Sequence, residues 1–188
     1  MNMHRIPGSL ALLTVLAVAV PLASAQQPPP MPTPGPEHAV FKMDVGTWDA
    51  VVEASPIPGA PPAKSKGVEV NTLGCGGLCL ISDFKGEVMP KVAFHGHGVA
   101  TWDASKKVYR GSWTDSMSRG LMVGESTWDA AKKKVTGTME GPDMTGQVVK
   151  MRSEVQYTSA TSRVMTAYAA GADGKETQVL KITYTKRK

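Results

Sequence analysis

The 188 residues, 41 % hydrophobic and 20 % charged, suffice for one domain around one core. The net charge of +5 comes from lysines in turns and at Lys186-Arg187-Lys188, without the interleaved aromatics of a nucleic-acid-binding face, so no nucleic-acid partner is expected. There is no Gly-x-Ser-x-Gly elbow, P-loop, dinucleotide fingerprint or His-Glu-x-x-His, so no catalytic residue can be named from a motif.

Residues 1–25 read as a cleaved export signal. Arg5 supplies the positive start, residues 10–20 the apolar run, and Ala23-Ser24-Ala25 the small-x-small cleavage pattern. The run is about half the ~20 residues a spanning helix needs, and no Cys follows it. A periplasmic or secreted protein with no membrane span is expected. Residues 26–36 (QQPPPMPTPGP) form a Pro-rich tether in extended polyproline II, and the folded domain occupies residues 37–188.

Residues 37–45 predict one or two helical turns. Gly46-Thr47-Trp48 opens a strand that puts Trp48, Ala50, Val52 and Ala54 on one face and Asp49 and Glu53 on the other. Residues 55–63 (SPIPGAPPA) are too rich in Pro for a strand and read as a loop, a candidate lid over a barrel mouth. Residues 66–74 and 78–88 read as strands around Gly74-Cys75-Gly76-Gly77-Leu78-Cys79. That spacing is not the redox Cys-x-x-Cys, the glycines permit a tight turn, and export implies an oxidising compartment. A local Cys75–Cys79 disulfide is therefore expected. In one continuous strand the two residues would lie about 13 Å apart and could not bond.

Residues 94–102 form the next strand, and two copies of one unit follow. Thr101-Trp102-Asp103-Ala104-Ser105-Lys106-Lys107-Val108 and Thr127-Trp128-Asp129-Ala130-Ala131-Lys132-Lys133-Lys134 each read as a β-hairpin with a polar turn. A third Thr-Trp-Asp-Ala stands at residues 47–50. After a turn at residues 141–146, strands are expected at 148–157 and 163–170. The Asp173-Gly174 hairpin signal then leads into a last strand at 177–184. The pattern is all-β: one antiparallel up-and-down barrel of about ten strands, wide enough inside for a small ligand.

Several stretches taken together resemble a known family. Gly46-Thr47-Trp48, Pro61-Pro62-Ala63-Lys64-Ser65-Lys66-Gly67, Gly96-His97-Gly98 and Trp102-Asp103 fit its pattern. So do Lys107-x-Tyr109-x-Gly111-x-Trp113-x-Asp115-Ser116-Met117, Gly141-Pro142-Asp143-Met144-Thr145-Gly146, Arg163-Val164-Met165-Thr166 and Ile182-Thr183-Tyr184. Over residues 41–187 the chain resembles the bacterial family catalogued as domain of unknown function 1579. It departs where the Cys pair replaces a Leu-Gly-Gly-x-Trp type segment. The resemblance implies a fold similar to lipocalins and fatty-acid-binding proteins, in which Gly46-Thr47-Trp48 would plug the closed end. It implies no mechanism.

Three constellations are candidates for a site. Tyr109, Gly111, Trp113, Asp115 and Met117 share one strand face, which is mostly apolar and expected to point inward. Asp115 then either accepts hydrogen bonds at the strand end, from Ser116 or Ser118, or meets a polar ligand head. His95 and His97 share a face about 6.6 Å apart, a spacing open to metal or haem. A pairing of Trp102 with Val108 would set His97 opposite Trp113 and His95 opposite Asp115, and a shorter turn would set them opposite Ser112 and Thr114. Met89, Met117, Met122, Met139, Met144, Met151 and Met165 would pack a core or line a soft pocket. The expected function is non-covalent binding of a small, mostly apolar molecule by Tyr109, Trp113, Asp115 and His97, with no cofactor. The alternatives are a haem- or metal-binding protein using His95, His97 and Asp115, and a structural envelope protein with a filled barrel.

Overall fold

The computed structural model describes residues 30–55, 61–89, 91–171 and 174–188, with the backbone alone at Val88 and Met89. The expected export signal, residues 26–29 of the tether, residues 56–60 of the lid and Asp173 lie outside the described residues. In the unit Pro32–Lys188, a 3-10 turn (Pro36–His38) and a short helix α1 (Ala39–Asp44) precede ten strands. These are β1 (Gly46–Ala54), β2 (Ala63–Gly74), β3 (Cys79–Met89), β4 (Val92–Asp103), β5 (Val108–Asp115), β6 (Met122–Asp129), β7 (Lys134–Pro142), β8 (Val148–Ser159), β9 (Ser162–Ala170) and β10 (Glu176–Lys186). Each strand pairs antiparallel with the next, and β1 pairs with β10 from Trp48↔Lys186 to Ala54↔Leu180, closing an up-and-down barrel without free edges. β2 begins at Ala63, three residues earlier than expected, because Ala63 and Lys64 continue the ladder with Ala54 and Glu53.

The two repeat units are the hairpins β4–β5 and β6–β7, with matching four-residue loops between Asp103↔Val108 and Asp129↔Lys134. The repeated Asp is what makes the turn. Asp103 Oδ1 accepts the N–H groups of Ser105 and Lys106 at 3.0 and 3.1 Å, and Asp129 Oδ1 accepts that of Lys132 at 3.0 Å. Each loop ends on a left-handed lysine, Lys107 (φ 56°) and Lys133 (φ 51°). The third Thr-Trp-Asp-Ala runs straight through β1. No Lys-Lys follows it, and Asp49 pairs outward with Arg187 at 2.6 Å instead of capping a turn.

Cys75 and Cys79 are disulfide-bonded, with Cα atoms 5.6 Å apart. The strand breaks into a 3-10 turn at Cys75–Gly77, where Gly76 (φ 65°) and Gly77 (φ 93°) take conformations that favour glycine.

The core has two parts. Beneath α1, Val40, Phe41, Leu80 and Tyr109 pack with Trp102, Trp128 and Val135, so the helix and the repeat tryptophans plug one end of the barrel. Above them, Trp48, Ala50, Val52, Phe84, Ile182 and Tyr184 form a second cluster along β1, β3 and β10. The other end, bounded by the β1–β2, β3–β4, β5–β6, β7–β8 and β9–β10 connections, is the mouth.

Candidate functional site

Inside the barrel lies a cavity of about 560 Å³. Its wall follows from strand period. On β5 the inward residues Gly111, Trp113 and Asp115 line it, and facing them on β4 are Ala100, Gly98 and Gly96. The two glycines make room for the indole: a Cβ on Gly96 would come within 2.1 Å of the Trp113 ring, and one on Gly98 within 2.8 Å. Met117, Met122, Met139, Met144, Met151 and Met165 all line the cavity, with Phe84, Phe94, Leu180 and Ile182. The interior is therefore apolar and deformable, suited to a flexible or irregular guest. The side chain of Met89, the seventh methionine singled out in the sequence, lies outside the described residues.

Asp115 is built into this wall. Its Oδ1 accepts the N–H groups of Met117 (2.8 Å) and Ser118 (2.7 Å), and its Oδ2 accepts the Trp113 Nε1–H (3.0 Å) and the Ser118 hydroxyl (2.9 Å). The carboxylate shapes the β5–β6 turn and holds the indole flat against Gly96 and Gly98.

The cavity floor is a polar cluster that sequence reasoning missed. Arg163, 6 % exposed at the start of β9, donates from Nη1 to Asp44 Oδ1 at 2.5 Å and from Nη2 to Glu69 Oε1. Its guanidinium lies 4.6 Å from the Trp48 ring centroid and 4.4 Å from that of Tyr184, a double cation–π stack. Glu69 also accepts from Asn71 Nδ2 and the Tyr184 hydroxyl, both at 2.8 Å. Asp44 also accepts from the Tyr157 hydroxyl at 2.9 Å, and its carbonyl accepts the Trp48 indole N–H at 2.7 Å. Burial raises the Asp44 carboxyl above the usual range, with Arg163 and the Tyr157 bond opposing it. Burial works against the Arg163 charge, but Asp44 and Glu69 outweigh it and keep the guanidinium firmly protonated. Burial, then the Glu69 charge, pushes the Tyr184 hydroxyl well above its ordinary range, so it stays a donor.

Two expected site residues lie elsewhere. Tyr109 faces inward, but at the plugged end: its hydroxyl donates to the Glu37 carbonyl at 2.7 Å, its ring meets Phe41 edge-on at 5.5 Å, and it is absent from the cavity wall. His97 and His95 face solvent, and His97 Nδ1 sits 2.7 Å from Asp83 Oδ1. The reason is register. The hairpin pairs Trp102 with Tyr109, one residue beyond the pairing with Val108 and two beyond the shorter turn, so His97 stands opposite Thr114 while Gly98 stands opposite Trp113. The grouping of His95, His97 and Asp115 is thereby overturned, since Asp115 points inward and the histidines outward. Among the described residues no group of three or more His, Cys, Asp or Glu is arranged to hold a metal ion. Trp113 and Asp115 are in the cavity wall, and the structure adds the methionines and the Arg163 floor.

A closed ten-stranded antiparallel barrel with an apolar interior cavity, plugged at one end by α1 and the repeat tryptophans, defines the class. The family model described as protein of unknown function, DUF1579, matches residues 33–186, and the chain belongs to that family. No curated protein matches the chain. Among solved structures, a redesigned β-barrel is similar at 11 % identity and a TM-score of 0.40, over 79 % of this chain and 96 % of that one.

Proposed function

We propose that this protein is an exported carrier that binds a small, mostly apolar molecule non-covalently inside its barrel. The observation that carries the reading is the cavity of about 560 Å³ walled by six methionines and Trp113. A barrel filled by its own side chains would keep interior packing density and leave voids no larger than a water or two. Burying about 300 Å² of ligand surface at about 25 cal/mol per Å² gives roughly 7 kcal/mol gross, before ordering costs. The Cys75–Cys79 disulfide is compatible with an oxidising compartment and so with export by residues 1–25.

The test is native mass spectrometry of the protein purified from cells without detergent, then after exposure to a total lipid extract. A discrete added mass that organic extraction removes is the expected result. A clean apo mass in both conditions would sink the carrier and favour a structural role. A Gly111→Phe variant supplies the control. A Cβ at Gly111 would have only the Val99 carbonyl oxygen nearby, at 3.8 Å, so the added ring fills the cavity and abolishes uptake while the barrel stays folded.

A further inference from the structure

Resting on the reading of the cavity as a ligand site, the structure assigns the class of ligand: an apolar body that carries no negative charge, with anionic amphiphiles of the same body rejected. The argument is a charge census of the wall. Among the described residues that line the cavity, Arg163 is the one cationic side chain, while Glu69, Glu87, Asp115 and Asp143 are acids. Arg163 is already shared between two carboxylates, Nη1 on Asp44 and Nη2 on Glu69, and its guanidinium packs on the Trp48 and Tyr184 rings. A ligand carboxylate reaching the floor meets two negative groups on one positive group, in an apolar surround where repulsion is weakly screened. A carboxylate left at the mouth meets Asp115 and Asp143. Asp115 already takes N–H groups from Trp113, Met117 and Ser118, so those donors are spent. Arg119, on the β5–β6 loop, is exposed and donates its Nε to the Met144 carbonyl at 2.9 Å, outside the wall.

The Nε–H of Arg163 has no hydrogen-bond partner in the protein, but it is buried out of reach of a guest, so the floor adds no polar contact. The charge census alone sets the ligand class: an uncharged lipophilic molecule, such as an alcohol, ketone or ester.

Retinol and retinoate test this, because they share one polyene body and differ in the charge of the head. Both are titrated into the full mature chain at pH 7.5 and followed by quenching of tryptophan fluorescence, to which Trp113 in the cavity wall contributes. The expected result is a dissociation constant at least about tenfold lower for retinol, a difference of about 1.4 kcal/mol. Equal or tighter binding of retinoate overturns the assignment and leaves the carrier intact. No binding of retinol, retinyl acetate or retinoate overturns the carrier reading and the assignment with it. Glu69→Gln removes one floor charge while keeping one oxygen to accept from Asn71 and Arg163, its new NH2 facing the Tyr184 hydroxyl, and Asp115→Asn removes one at the mouth. At least one of the two, verified as folded by circular dichroism, should narrow the retinol preference threefold or more. A preference unchanged in both overturns the assignment to these carboxylates.

Discussion

The closed end and the cavity of this barrel bury their side chains on opposite terms. At the closed end, Asp44 and Glu69 are met by Arg163, Tyr157, Tyr184 and Asn71, and an aromatic plug packs under α1. In the cavity, thioethers and one indole enclose about 560 Å³ with few directional contacts. Specific polar bonding fixes the barrel's closure, and non-specific apolar lining leaves room for a guest. Stability should therefore concentrate at one end and binding at the other.

The sharpest way to break that division is Arg163→Met. It strands two buried carboxylates, and the cost of breaking a buried charge set by removing one partner is about 3–5 kcal/mol. Chemical denaturation should show that loss, and a variant within 1 kcal/mol of wild type would refute the role given to the floor. Removing the Cys75–Cys79 bridge by a double Ser substitution should cost about 2 kcal/mol, the chain-entropy value for so short a loop, measurable as a lower denaturation midpoint. Within the cavity, two glycines sharpen the contrast. Gly96→Ala drives a methyl into the Trp113 ring and should cost about 1–3 kcal/mol, whereas Gly111→Ala meets only the Val99 carbonyl oxygen, at an ordinary contact of 3.8 Å, and should change stability by less than about 0.5 kcal/mol. Differential scanning fluorimetry of the pair measures the gap, and equal shifts would refute the wall geometry.

The smallest effect concerns the turns that join the two ends. The Asp103 carboxyl is held below its ordinary range chiefly by the Ser105 hydroxyl, and Asp129 chiefly by Lys132. Because their folded-state pKa values are depressed, their contribution is complete above the unfolded value of about 3.9 and is lost as pH falls through the lower folded value. A double Asp103→Asn, Asp129→Asn variant should lower the neutral plateau of the melting curve slightly and converge with wild type in acid, so that its acid limb below about pH 4 is flatter. An unchanged acid limb would remove these turns from the account.

Much of this was legible in the sequence, for a physical reason. Side chains alternate strictly across a strand, so the inward set on β5 could be read from the positions of Trp113 and Asp115 without any structure. The repeated Asp-Ala-x-Lys-Lys turns gave the hairpins, and the glycines around the cysteines gave the bridge. Hairpin register resisted the same treatment, because one residue in a loop moves every cross-strand partner. β4's own period held the answer for the histidines: Phe94, Gly96, Gly98, Ala100 and Trp102 are in phase and face inward, which leaves His95 and His97 with the outer set. Arg163 was overlooked as a polar residue at a strand end. The available signal was that it shares phase with Met165 and Ala167, an arginine placed among core positions. Its partners Asp44 and Glu69 come from distant elements, and only closure of the barrel brings them together.

The chain enters the barrel beside α1 and leaves it at Lys186, which pairs with Trp48 at the start of β1. Both ends of the domain thus emerge at the pole opposite the mouth. Tension applied between them would peel β10 from β1 one hydrogen bond at a time, as a zipper opens, rather than shear the whole ladder at once. The domain should yield to a weak pull, while a fusion partner or a solid support attached at either terminus leaves the mouth unobstructed.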